Sequence, residues 1–169
     1  MVDTELEQLA TEVGRALKSA GRILVTAESC TGGWVGEAVT AIAGSSDWFD
    51  RGFITYSNAA KREVLRVSAA TLKQHGAVSE ETAREMALGA LKHSRAQIAV
   101  AITGVAGPGG GSEDKPVGTV CFAWAKDETA LRSESHLLHG DRTDVRRQSV
   151  VIALRGILAM SSENETVLA

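Results

Sequence analysis

RILVTAESCTGGWVGEAV (residues 22–39) decides how this chain folds. RILVTAE is a short apolar run rich in β-branched residues, the pattern of a buried strand. SCTGG is a turn of small residues, and WVGEAVTAIAG beyond it reads as a helix. Strand, glycine turn and helix in that order open an α/β unit. The turn also poses a chemical question. Ser29 is either a nucleophile on a sharp turn, a donor in a loop that holds a phosphate or an oxyanion, or a plain helix cap. The stretch is neither GxSxG nor a Walker A loop, because the lysine of GK[ST] is missing.

Outward from this unit the pattern repeats. DTELEQLATEVGRALKSAG is an amphipathic helix with Leu6, Leu9, Val13, Ala16 and Leu17 on one face, stopped by Gly21. RGFITYSN reads as a second strand, AAKREVLRV and SAATLKQHG as helical turns, and VSEETAREMALGALKHSR as the clearest helix, with Ser79 as its cap. AQIAVAITG is a third buried strand running into the loop GVAGPGGGSEDKPVG. TVCFAWAKD and TALRSESHLLHG read as a hairpin. DRTDVRRQSVVIALRGILAM is the last helix, capped by Asp141, and SSENETVLA is expected to fray. The fold predicted is a three-layer α/β/α sandwich around a mixed, mostly parallel sheet of about five strands.

Composition narrows the function. At 169 residues and 44% hydrophobic content the chain suits one compact domain. A net charge of −3 gives no broad surface for nucleic acid or membrane. Cys30 and Cys121 form no CxxC or Cys/His cluster, so free thiols in a reducing compartment, the cytoplasm, are expected. No secretory leader and no membrane-spanning run is visible.

Four stretches offer chemistry. ESCTGG supplies hydroxyls at Ser29 and Thr31 and close approach at Gly32 and Gly33. TGVAGPGGG places five glycines in residues 104–111 after a buried strand, which is costly in entropy unless a ligand needs the backbone close. Ligand loops of α/β folds sit at the carboxyl ends of strands, so both loops are expected at one sheet edge. GSSDWFDRGFITYSNAAK carries Ser45, Ser46, Tyr56, Ser57 and Lys61. No histidine neighbours a glycine loop in sequence, which leaves a Ser–Lys or Ser–Tyr–Lys arrangement, since a desolvated lysine can accept a proton. In HGDRTDVRRQ, Arg142 and Arg146 share a helix face at i, i+4. Arg142 suits a grip on phosphate, and Arg147 a salt-bridged surface. Glu28, Asp47 and Asp50 make no recognisable metal set, and neither metal nor cofactor is expected.

AESCTGG, GSSxxFxxGxxTYSNxxK, GAVSE, TGxAGPxGG, KPVGTV and GDRxxVR, in this order, resemble the CinA C-terminal domain family. The resemblance covers nearly the whole chain and implies its single-domain form, residues 1–169. Stand-alone members are nicotinamide-nucleotide amidohydrolases. The implied reaction converts nicotinamide mononucleotide into nicotinate mononucleotide and ammonia, in pyridine nucleotide salvage. The resemblance further implies Ser46, the second serine of GSS, as nucleophile, assisted by Tyr56 and Lys61. Ser29, Thr31, Gly32, Gly33, Thr103, Gly104, Gly107 and Arg142 are expected to line the substrate pocket, at the same sheet edge as Ser46. A homodimer is expected. The competing expectation is a non-catalytic nucleotide-binding or regulatory module of the competence- and damage-related kind. Ammonia release from nicotinamide mononucleotide separates the two.

Overall fold

The structure, a computed structural model, describes residues 1–162. The tail beyond Ser162, and with it most of the stretch expected to fray, lies outside the described residues. Helix α1 (Thr4–Ala20) begins where the Asp3 carboxylate accepts from Leu6 N–H and ends where Gly21, at φ 63°, turns its N–H back to the Leu17 and Lys18 carbonyls. Then follow β1 (Leu24–Glu28), α2 (Trp34–Thr40), a 3-10 turn (Ser45–Asp47), β2 (Phe49–Ile54), α3 (Asn58–Leu65), α4 (Ala69–His75), α5 (Glu80–Lys92), β3 (Ile98–Gly104), β4 (Thr119–Ala125), β5 (Leu131–Leu137) and α6 (Arg142–Ser162). Apart from the 3-10 turn, this is the order expected from the sequence.

The five strands form one sheet in the order β2-β1-β3-β4-β5. β1 pairs in parallel with β2 and β3, while β3–β4 and β4–β5 are antiparallel. Only β4 therefore runs against the others, and the sheet is mixed as predicted. Its two faces differ in grain. Leu24, Ile98, Val100, Ile102, Phe122 and Trp124 pack under α1, α2 and α6. Val25, Ala27, Ala99, Ala101 and Ala123 face Ala83, Met86, Ala87 and Ala90 of α5, with Leu65 of α3 beside them. The alanines on both sides bring α5 close to the sheet. On the other face Gly156 makes room for Trp124, whose indole N–H donates to the Ala153 carbonyl at 3.0 Å. Each large side chain fully buried here contributes about 1.5–3 kcal/mol.

β2 departs from the expected bounds. It starts at Phe49, which pairs with Leu24, and ends at Ile54. Tyr56 and Ser57 leave the strand because Ser57 caps α3, its Oγ accepting from Ala60 N–H at 3.0 Å. This cap sets the position of everything in the first turns of α3, including Lys61.

Candidate active site

Ser29 follows β1 directly. Its N–H donates to the Ile102 carbonyl at 2.9 Å, which carries the β1–β3 pairing one residue past the strand. Lys61 comes from the adjacent parallel strand's far end, through the Ser57-capped start of α3. Its Nζ lies 3.0 Å from Ser29 Oγ and donates to the Thr55 carbonyl at 2.9 Å. Lys61 is only 2% exposed, and among the described residues no carboxylate pairs with it. Burial pushes its pKa below the ordinary lysine range, because a charge there lacks water. The neighbouring Cys30 thiol is pushed up to about 12 by burial, which keeps it protonated and unreactive near neutral pH.

The two side chains open into a cavity of about 320 Å³ that Tyr56, Asn58, Thr103 and Arg142 also line. The loop from Gly104 to Gly111 forms its other wall. Thr103 Oγ1 donates to the Ala77 carbonyl at 2.8 Å. Arg142, the first residue of α6, spans the mouth: Nη1 donates to the Gly107 carbonyl at 2.7 Å and Nη2 to the Tyr56 hydroxyl at 2.9 Å. Asp141 caps α6 as expected, accepting from Asp144 N–H at 2.9 Å. The structure thus brings together Ser29, Tyr56, Lys61, Thr103, Gly104, Gly107 and Arg142. Thr31, Gly32 and Gly33 belong to the same turn but do not line the cavity. Gly32 (φ 60°) and Gly33 (φ 98°) adopt the left-handed conformation that swings the chain from β1 into α2.

Ser46 is elsewhere: the structure does not bring it together with Tyr56 and Lys61 in the cavity. It sits exposed in the 3-10 turn that precedes β2, next to Asp47, which pairs with Lys18 at 3.4 Å. Tyr56 and Lys61 come after β2. In a parallel β1–β2 pair, residues before the strand and residues after it lie at opposite sheet edges. Four residue steps along β1 separate those edges by about 13 Å. The expected common edge for the two glycine loops and Ser46 therefore holds for the loops alone.

Residues 6–161 match the CinA C-terminal domain family. The chain belongs to that family. A curated Escherichia coli K12 protein named nicotinamide-nucleotide amidohydrolase PncC is 54% identical over 164 residues, 97% of this chain and 99% of that protein. A Pseudomonas putida protein of the same name is 49% identical over 155 residues, 92% and 96% of the two chains. The crystal structure of a competence/damage inducible protein, CihA, from Agrobacterium tumefaciens superposes with a TM-score of 0.88 at 46% identity, covering 92% of this chain and 95% of that one.

Two residues that the sequence reading names without giving them a site role shape this CinA domain's site. Arg146 donates to backbone carbonyls of the Ser29 turn. Glu28, 1% exposed, accepts from Thr31 Oγ1 (2.7 Å), Val35 N–H (2.9 Å) and Gly36 N–H (3.0 Å). It caps α2 from the end of β1, where Gly33, at the usual cap position, has no side chain to do so. Its Thr31 bond explains why that hydroxyl faces inward. Glu28→Ala is expected to cost about 3–5 kcal/mol, since two buried donors and one half-buried donor lose their acceptor. Urea unfolding followed by circular dichroism checks this; a loss below about 1 kcal/mol would mean that water replaces the carboxylate. Among the described residues, no group of three or more His, Cys, Asp or Glu is placed to hold a metal, and no helix is long and apolar enough to cross a membrane.

Proposed function

We propose that this chain hydrolyses the carboxamide of nicotinamide mononucleotide, with Ser29 as nucleophile and Lys61 as general base. The buried Lys61 amine 3.0 Å from Ser29 Oγ carries the reading. The name borne by relatives matched along nearly their full length, nicotinamide-nucleotide amidohydrolase, supplies the substrate. With Nζ neutral, the Ser29 O–H donates to it. Oγ attacks the carboxamide carbon as Lys61 takes the proton. Of the turn that follows Ser29, Cys30 lines the cavity, and its backbone N–H is assigned to the charge that develops on the carbonyl oxygen. Lys61 then protonates the departing nitrogen, the C–N bond breaks, and ammonia leaves an ester on Ser29. Water attacks that ester, Lys61 accepts the water's proton and returns it to Oγ, and nicotinate mononucleotide is released.

In this mechanism Tyr56 shuttles no proton. Its hydroxyl accepts from Arg142 at the mouth, where its ring can lie against the cationic pyridine. A purely regulatory nucleotide-binding module has no use for an amine desolvated beside a serine, a costly arrangement for stability alone. The reaction would return nicotinamide nucleotide to the nicotinate form in pyridine nucleotide salvage. The test is direct: purified protein should release ammonia and nicotinate mononucleotide in equal amounts from nicotinamide mononucleotide. Absence of both would reject the reading.

Arg142 is assigned to the nucleotide's phosphate. Its guanidinium bonds the Gly107 carbonyl and the Tyr56 hydroxyl rather than Ser29 or Lys61, and a phosphate would take over those donors. Such a grip is equally strong in ground and transition states. Arg142→Ala should raise KM by about tenfold or more with a smaller fall in kcat. Steady-state kinetics decide; a fall in kcat at constant KM would reassign Arg142 to the chemical step.

A further inference from the structure

The Ser29 turn closes with a hydrogen bond from Gly32 N–H to the Ser29 carbonyl at 3.0 Å, leaving Cys30 and Thr31 at its centre. One side chain from the opposite end of the sequence takes both central carbonyls. Arg146 Nε donates to the Cys30 carbonyl and Nη2 to the Thr31 carbonyl, each at 3.1 Å. The guanidinium is covered in turn by Trp34, whose ring centroid lies 5.4 Å from its central carbon. Arg146 does not line the cavity, so it reaches Ser29 only through the turn. Glu28 holds the donors of this segment, and a carboxylate can do no more than accept. The Thr31 carbonyl also accepts from Trp34 N–H at 3.1 Å; to tie both carbonyls together takes a donor with two arms, which is what a guanidinium offers and an ammonium does not.

We propose that Arg146 is a positioning residue for the nucleophile. Peptide units are planar, so fixing the Cys30 and Thr31 carbonyls also fixes the tilt of the two peptide planes at the centre of the turn. Arg146 thereby holds the turn in the shape that sets Ser29 Oγ against Lys61. This rests on the reading of Ser29 as nucleophile given above. The three arginines at the start of α6 then divide their work: Arg142 at the pocket mouth, Arg146 on the turn, and Arg147 outward on Asp3 and Glu5.

The experiment compares wild type with Arg146→Ala and Arg146→Lys by two independent readouts. One is steady-state deamidation of nicotinamide mononucleotide. The other is the rate at which phenylmethylsulfonyl fluoride modifies Ser29, read as a mass gain on the Ser29 peptide. In that reaction Oγ bonds to sulfur, the S–F bond breaks, and fluoride and a proton leave. Both variants should lose about 10²-fold in kcat, the cost of a nucleophile misplaced by roughly 1 Å. KM should change less than about threefold, because uniform binding is untouched. Sulfonylation of Ser29 should slow in parallel. Guanidinium chloride at tens of millimolar should raise kcat of Arg146→Ala by about tenfold, and leave wild type and Arg146→Lys unchanged. Wild-type kcat and labelling rate in Arg146→Lys would overturn the proposal, as would a loss confined to KM. If Arg146→Ala fails to fold by circular dichroism, Arg146→Lys carries the test. If wild type releases no ammonia yet Ser29 labelling still depends on Arg146, the substrate reading fails and the positioning role stands.

Discussion

Ser29→Ala should lower kcat for nicotinamide mononucleotide by about 10⁴–10⁶-fold, the range typical of removing a catalytic serine. Binding of the unreacted nucleotide should survive, since the phosphate, the ribose and the pyridine meet other groups. Ser46→Ala should leave kcat within about twofold, as substitutions on an exposed turn far from a site usually do. The contrast follows from geometry alone: Ser29 Oγ lies 3.0 Å from Lys61 Nζ, while Ser46 is exposed ahead of β2. Isothermal titration with nicotinamide mononucleotide, beside initial rates for both variants, reads the whole pattern. A dead Ser46→Ala with an active Ser29→Ala would restore the assignment that the family motifs imply.

Lys61→Met is expected to be nearly as damaging, with kcat down by about 10³-fold or more, because Ser29 would lose the amine beside its Oγ that takes the proton. Methionine fills similar space without a charge, so the fold should persist and the protein should melt close to wild type. The pH profile distinguishes this base from a histidine. Burial holds the Lys61 pKa below its ordinary 10.5, so the neutral, reactive form grows as pH rises. Thus kcat/KM should climb about tenfold per unit on the acid side and level off before that ordinary value is reached. Stability follows the same proton. Between the lowered folded value and the ordinary unfolded one, the unfolded chain holds a proton that the folded chain lacks, so unfolding becomes harder as pH rises through that window. Lys61→Met should lose that slope. A kcat/KM profile that falls as pH rises would contradict the assignment.

The strand, glycine turn and helix of residues 22–39 are legible because each segment has its own local cause: β-branched apolar residues, two glycines, then a periodic apolar face. The caps at Ser79 and Asp141 are legible for the same reason, being one side chain beside one helix start. Lys61 could be named from the sequence, but not its partner. The family motifs point to Ser46, fifteen positions away, over Ser29. The sheet order β2-β1-β3 reverses that preference, because it aligns the carboxyl ends of β1 and β2 and sends the start of β2 to the far edge. A signal was present: Ser46 precedes the second strand, whereas Tyr56 and Lys61 follow it. Glu28 and Arg146 carried no such signal. A glutamate ending a buried strand matters only once α2 folds back over it, and Arg146 meets Cys30 across 116 positions of sequence.

The Ser29–Lys61 pair stands or falls with the position of the ester that turnover must leave behind. Acid quenching of the enzyme within milliseconds of mixing with saturating nicotinamide mononucleotide, followed by proteolysis and mass spectrometry, locates that ester. A mass gain equal to the nucleotide's acyl portion is predicted on the peptide that carries Ser29, and absent from it in Lys61→Met. The same gain on the peptide that carries Ser46, with Ser29 unmodified, would contradict it.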